Sequence, residues 1–245
     1  MKLLVLGNSD TSGRFTTGQT WTQMVAQGLR EQGRGVELRE TGFVVLSPAS
    51  AEHAERKVRE FEPDLVLLPV GTAMFTVGFV WKRVETLFGK RVARWYKQAE
   101  DGFDGRTRAR GSVRDRANVL ARKTLRRVVG AQTMSTEAAV TDGFRAVLDT
   151  LARIEATQVA LIVIAPRGAH HHRPGAKERR RRFLDAVERA ATDHHFTWIE
   201  TDEAYAGVSD LEMKNPDGMH QTPAGHRMLA DYLLPRLPVE IETRA

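Results

Sequence analysis

Leu3-Leu4-Val5-Leu6-Gly7-Asn8-Ser9-Asp10-Thr11 begins with four apolar residues and passes without a break into a polar turn that carries a serine. An apolar run this short, bounded by turn residues, reads as a buried β-strand. Residues 36–38, with an extension toward Val44 and Val45, and residues 65–70, 159–165 and 196–199 have the same character. Of these, 65–68 and 160–164 are continuously apolar rather than alternating, which suits central parallel strands covered on both faces. Residues 19–32, 51–61, 135–154, 177–192 and 223–234 lie between or after the strands and show helical periodicity. The alternation predicts an α/β fold, a three-layer α/β/α sandwich around a five-stranded parallel sheet, as one domain over 1–245. Ligands bind such sheets at the carboxyl ends of the strands, so Ser9, Gly42, Gly71 and the loop after Val163 are expected to open on one edge.

Composition narrows the chemistry. The 245 residues are 41% hydrophobic, enough for an ordinary core, and include no cysteine, which excludes disulfides, thiolate metal sites and a cysteine nucleophile. Met1-Lys2 leads straight into residues 3–6, too short a run for a signal peptide, and no uncharged apolar stretch is long enough to span a bilayer. The expectation is a soluble, cytoplasmic protein without stable membrane insertion.

The net charge of +6 is concentrated in one segment. Residues 90–127 hold thirteen Lys or Arg against four Asp or Glu, a local balance of +9 that leaves −3 for the rest of the chain. A whole-chain role in nucleic-acid binding is therefore not expected. The same segment interrupts the strand-helix rhythm. Val84, Phe88, Val92 and Trp95 or Tyr96 recur at helical spacing, as do Val113, Ala117, Leu120, Ala121, Leu125 and Val128, with a turn signal at Asp101-Gly102-Phe103-Asp104-Gly105 between them. The pattern predicts a basic helical hairpin inserted over 80–134. Four roles suit it: a lid over the active-site edge, a homodimer surface, two helices with solvated basic faces, or a segment that binds acidic polymers or an anionic membrane.

Near the other end, Asp217-Gly218-Met219-His220 precedes Thr222-Pro223, which reads as the N-cap and first residue of the last helix. A serine hydroxyl becomes a nucleophile at neutral pH only with an imidazole in hydrogen-bond reach and a carboxylate to hold that ring's tautomer. Ser9, His220 and Asp217 supply these three groups if the fold joins the chain's two ends.

The run Asp217-Gly218-Met219-His220-Gln221-Thr222-Pro223-Ala224-Gly225-His226 resembles the last block of the SGNH hydrolases, the GDSL-type esterases and lipases, and the order of elements is similar over nearly the whole chain. The resemblance implies their flavodoxin-like fold and a serine-dependent hydrolase that cleaves carboxylic esters through an acyl-enzyme. It implies Ser9 as nucleophile, His220 as general base, Asp217 as orienting acid, and the backbone N–H groups of Ser9 and Gly42 as oxyanion donors. It implies no cofactor and no metal, and a substrate that is a small-molecule, glycan or lipid ester. Two departures stand out. The first block reads Gly7-Asn8-Ser9-Asp10 where the family has Gly-Asp-Ser-Leu, and the third reads Gly71-Thr72-Ala73, with alanine where an oxyanion asparagine is expected. A weakly active or inactive binding protein on this fold, or an acyltransferase using the same site, are the alternatives.

Other features are weaker. His170-His171-His172 follows the fourth strand, but three consecutive histidines cannot all point one way, so a solvated or substrate-contacting loop is expected rather than a metal site. Arg179 to Arg182 reads as a solvent-exposed start of a helix, and His194-His195 as a surface turn.

Overall fold

In the computed structural model of the chain, the described residues are 1–7, 9, 11, 16, 18–104, 124, 127–154, 157–165, 175–215 and 220–239, with the side chains of 99–104 and 210–211 excepted. They divide into two compact units, Met1–Thr72 with Glu137–Ala245, and Ala73–Thr136.

The first unit is built on five parallel strands, β1 (Lys2–Gly7), β2 (Glu37–Gly42), β3 (Leu65–Val70), β4 (Gln158–Val163) and β5 (Thr197–Glu200), in the order β2-β1-β3-β4-β5. Its helices are α1 (Trp21–Glu31), α2 (Ser50–Phe61), α5 (Glu137–Ala152), α6 (Ala176–Asp193), the short α7 (Asp210–Met213) and α8 (Pro223–Leu233); α3 (Ala73–Thr76) and α4 (Val80–Asp104) belong to the second unit. The expected α/β fold and five-stranded parallel sheet are what the structure shows.

Both central strands are buried along their length, every residue of β3 and five of six in β4. Period-two alternation sends Leu3, Val5, Leu65, Leu67, Ala160 and Ile162 into one core with Trp21, Val25 and Leu29 of α1 and Leu229 and Leu233 of α8. The alternate residues Leu4, Leu6, Val66, Leu68, Leu161 and Val163 are equally buried and serve the opposite face. There α5 lies between α2 and α6, its Phe144 ring meeting Phe183 of α6 edge-on at 5.4 Å.

β2 departs from expectation. It spans the polar run Glu-Leu-Arg-Glu-Thr-Gly, starts after Val36 and stops before Val44 and Val45. As an edge strand it is held by a six-residue register against β1, from Lys2↔Glu37 to Gly7↔Gly42, so its own sequence needs little apolar content. Arg179 and Arg180 are half-buried rather than solvent-exposed, Arg180 lying 3.7 Å from the Asp202 carboxylate, while Arg181 and Arg182 are exposed. Burial pulls the Arg180 guanidinium below its ordinary pKa, against the opposing pull of Asp202 and Glu200. His194 and His195 form the expected turn, and His194 reaches Asp149 at 2.8 Å.

In the second unit, the two ends of the segment are tied by an antiparallel bridge, with the Phe79 N–H donating to the Gln132 carbonyl at 2.8 Å and the reverse bond at 3.2 Å. α4 breaks at Gly89, whose φ of 83° lies in the left-handed region. It then continues as helix through Asp104, where residues 101–104 were expected to open a turn. The second arm of the expected hairpin lies mostly outside the described residues.

Leu67 is fully buried in the central strand. Leu67→Ala is expected to lower the unfolding free energy by about 2–5 kcal/mol, measured by urea denaturation.

Candidate active site

Ser9 stands two residues beyond β1, on a turn whose tightness is set by Gly7. A Cβ added there would lie 1.9 Å from Oγ1 of Thr11, itself buried, so the turn folds back over a position that admits only glycine. β2 is pinned beside it, the Phe43 N–H donating to the Gly7 carbonyl at 2.5 Å. Gly42 is the last residue of β2 rather than part of the turn after it, and Gly71 follows the last residue of β3. Since β2 and β3 flank β1 in a parallel sheet, Ser9, Gly42 and Gly71 share its carboxyl edge. Thr72 is buried next to Gly71, and Ala73 begins α3 in the other unit.

His220 is held from the opposite end of the chain. The segment that carries it leaves α7 and returns at α8, closed by an antiparallel bridge between Lys214 and Gln221, an Asn215 N–H bond to the His220 carbonyl at 2.8 Å, and an Asn215 Nδ2 bond to the Gln221 carbonyl at 3.0 Å. Thr222 is the N-cap of α8, as expected: its hydroxyl accepts from the Gly225 N–H at 3.1 Å, with Pro223 first in the helix. Thr222 also donates its N–H to the Met213 carbonyl at 2.8 Å and its hydroxyl to the Glu212 carbonyl at 2.5 Å. Gly225 permits this closeness, because a Cβ there would lie 2.6 Å from the Met213 carbonyl oxygen. At the start of α7, the Ser209 hydroxyl and N–H both donate to Glu212, and these bonds hold its carboxyl below the ordinary carboxylate range.

These two assemblies bring Nε2 of His220 to 2.8 Å from the hydroxyl oxygen of Ser9, across 211 residues of chain. His220 is 8% exposed while Ser9 is exposed. An imidazole shielded from bulk water and bonded to an accessible hydroxyl can take up its proton as that oxygen attacks an electrophile. Asp217 lies outside the described residues, as do Asn8, Asp10 and His170 to His172. Among the described residues, no three His, Asp or Glu side chains converge in a way that could hold a metal ion.

One contributor has no role in the sequence reading. His226 is 2% exposed and accepts at Nδ1 a hydrogen bond of 3.3 Å from the Trp21 N–H, tying the first turn of α8 to that of α1. Its signal was its spacing: 226, 229, 230 and 233 form the buried stripe of α8, and a histidine in such a stripe requires a polar partner. Glu40 of β2 has a similar role, accepting from the hydroxyls of Thr20 and Thr22 at the start of α1.

No family model matches the chain, and no curated protein matches it. Solved structures do. The acetyl xylan esterase AlAXEase is similar with a TM-score of 0.58 and 16% identity, over 96% of this chain and 98% of that one. A catalytic mutant of Axe2, an acetylxylan esterase from Geobacillus stearothermophilus with one histidine replaced by alanine, has a TM-score of 0.58 and 15% identity over 100% and 97% of the two chains. Two more catalytic mutants of Axe2 replace an aspartate three positions before that histidine and a serine near the start of the chain. TesA has a TM-score of 0.54 and 16% identity over 97% and 98%. At these identities the likeness is one of fold, and TesA and the acetylxylan esterases belong to one family. The chain has the fold of the SGNH, or GDSL-type, hydrolases.

Proposed function

We propose that the protein is a serine esterase that cleaves carboxylic esters through an acyl-enzyme on Ser9. The observation that carries this reading is the 2.8 Å contact between the Ser9 hydroxyl and His220 Nε2. The neighbouring folds support it, because an aspartate, a histidine three residues later and an early serine are the positions altered in the Axe2 catalytic mutants. Asp217, His220 and Ser9 have that order and that spacing here.

In the proposed cycle, Ser9 Oγ attacks the ester carbonyl carbon as its proton passes to His220 Nε2. The carbonyl π pair moves onto oxygen, giving a tetrahedral oxyanion. As the intermediate collapses, the bond to the leaving alkoxide breaks and His220 returns the proton to it, releasing an alcohol. Water then attacks the acyl-enzyme by the same route, releasing the acid and restoring the Ser9 hydroxyl. For Nε2 to accept, the ring's other proton sits on Nδ1, where Asp217 is the carboxylate assigned to hold it.

The backbone N–H groups of Ser9 and Gly42 are the proposed oxyanion donors. Ala73 contributes no side-chain donor, and loss of one such donor costs on the order of 10²–10³ in turnover. A slow esterase is therefore the expectation, with acyl transfer to an alcohol or sugar as a variant that the same acyl-enzyme permits.

A fluorophosphonate is expected to label Ser9 in the wild type and to leave His220→Ala unlabelled. Hydrolysis of p-nitrophenyl acetate is expected to vanish in Ser9→Ala; equal rates in that variant and the wild type would remove the proposal. Gly225→Ala places a methyl against a backbone carbonyl and is expected to cost about 1–3 kcal/mol of stability. Because that strain falls on the segment holding His220, esterase activity is expected to drop with it under conditions where the variant is fully folded.

A further inference from the structure

α4 carries a surface that the proposed ester chemistry does not use. From residue 86 to residue 98 it reads Thr-Leu-Phe-Gly-Lys-Arg-Val-Ala-Arg-Trp-Tyr-Lys-Gln, with four cations and no carboxylate. Leu87 is 48% exposed, Phe88 61%, Val92 44% and Trp95 70%, while Val84 is buried before the Gly89 break and Ala93 after it. Single apolar residues in water are ordinary, but Leu87 and Phe88 just before the Gly89 break and Val92 and Trp95 just after it are four exposed within nine positions, a density that marks a surface for a partner. Val92 and Trp95 are three residues apart and share a face, and Lys90, Arg94 and Lys97 follow one another at spacings of four and three. Arg91 and Trp95, four apart, make the two stripes adjoin. Lys90, Arg91, Arg94 and Lys97 are all exposed.

We propose that this face docks the protein peripherally on an anionic lipid surface. Leu87, Phe88, Val92 and Trp95 enter the boundary between headgroups and acyl chains, and the adjoining cations meet the lipid phosphates. The contact is interfacial rather than spanning, since no described helix is long and apolar enough to cross a membrane. A second copy of the chain suits the face less well, because it would bring two segments of charge +9 against each other. A nucleic acid would match the cations but leave Leu87 and Val92 in water.

The inference rests on α4 alone and holds whether or not Ser9 is the nucleophile. The test is co-sedimentation of the full chain with vesicles of phosphatidylcholine, alone or with phosphatidylglycerol. Binding is expected only to the anionic vesicles and is expected to be lost at high salt, with tryptophan emission shifting to the blue in lipid. Trp95→Phe should keep binding and lose the shift. Lys90→Gln and Arg94→Gln should each weaken partitioning about fivefold. Phe88→Ser combined with Trp95→Ser should abolish it, with the far-ultraviolet circular dichroism and the hydrolysis of a water-soluble ester unchanged. Absence of binding to anionic vesicles overturns the proposal. So does equal binding to neutral vesicles, a Trp95-dependent dimer that forms instead of a lipid complex, or an oligonucleotide complex that forms where vesicles do not bind.

Discussion

Helices α1 and α8 come from opposite ends of the chain and lie side by side on one face of the sheet, and everything at the candidate site depends on that pairing. Its apolar part is Trp21, Val25 and Leu29 against Leu229 and Leu233, over Leu3, Val5, Leu65 and Leu67 of the strands. Its polar part is the Trp21 N–H donated to His226 Nδ1 inside the core. Helix N-terminal N–H groups have no partner within their own helix, so one buried at this interface requires an acceptor from elsewhere. The histidine meets that need and fixes the relative position of the two helix starts. Ser9 lies upstream of one start and His220 three residues before the other, and the two side chains meet at 2.8 Å.

Closeness of backbone is the second constraint. Gly7 and Gly225 each occupy a place where a methyl group would strike a neighbour, Thr11 in one case and the Met213 carbonyl in the other. The first lets the serine turn fold tightly over the end of β1, and the second draws α8 onto the chain leaving α7. The segment that carries His220 is braced by the hydrogen bonds of Asn215 and Thr222, and the Gly7 carbonyl at the end of β1 is held by the Phe43 N–H. Ser9 is exposed and His220 buried, so the contact joins an accessible hydroxyl to a shielded residue.

The basic segment follows a different logic. Its unit closes on itself through Phe79 and Gln132, and its exposed apolar residues lie beside cations rather than beside carboxylates. Charge and exposure there describe a surface for a partner, whereas in the first unit several charged groups pair within the chain, as Arg182 does with Glu137 and Arg59 with Glu55.

By itself the sequence determined the α/β class, the position of β3 and the main helices of the first unit within a few residues, and it carries the serine, aspartate and histidine of the proposed site in order along the chain. These are local properties: an apolar run, a 3.6-residue period, an N-cap threonine before a proline, a serine on a strand-end turn. Tertiary structure decided where β2 lies, because an edge strand of polar residues is specified by its register with β1 and not by its own pattern. It decided that His226 joins two helices, that Arg180 is drawn toward Asp202 in a half-buried place, and that Ser9 faces His220. Each of these depends on groups far apart in the chain, and such distances are fixed only when a packed core holds the segments together.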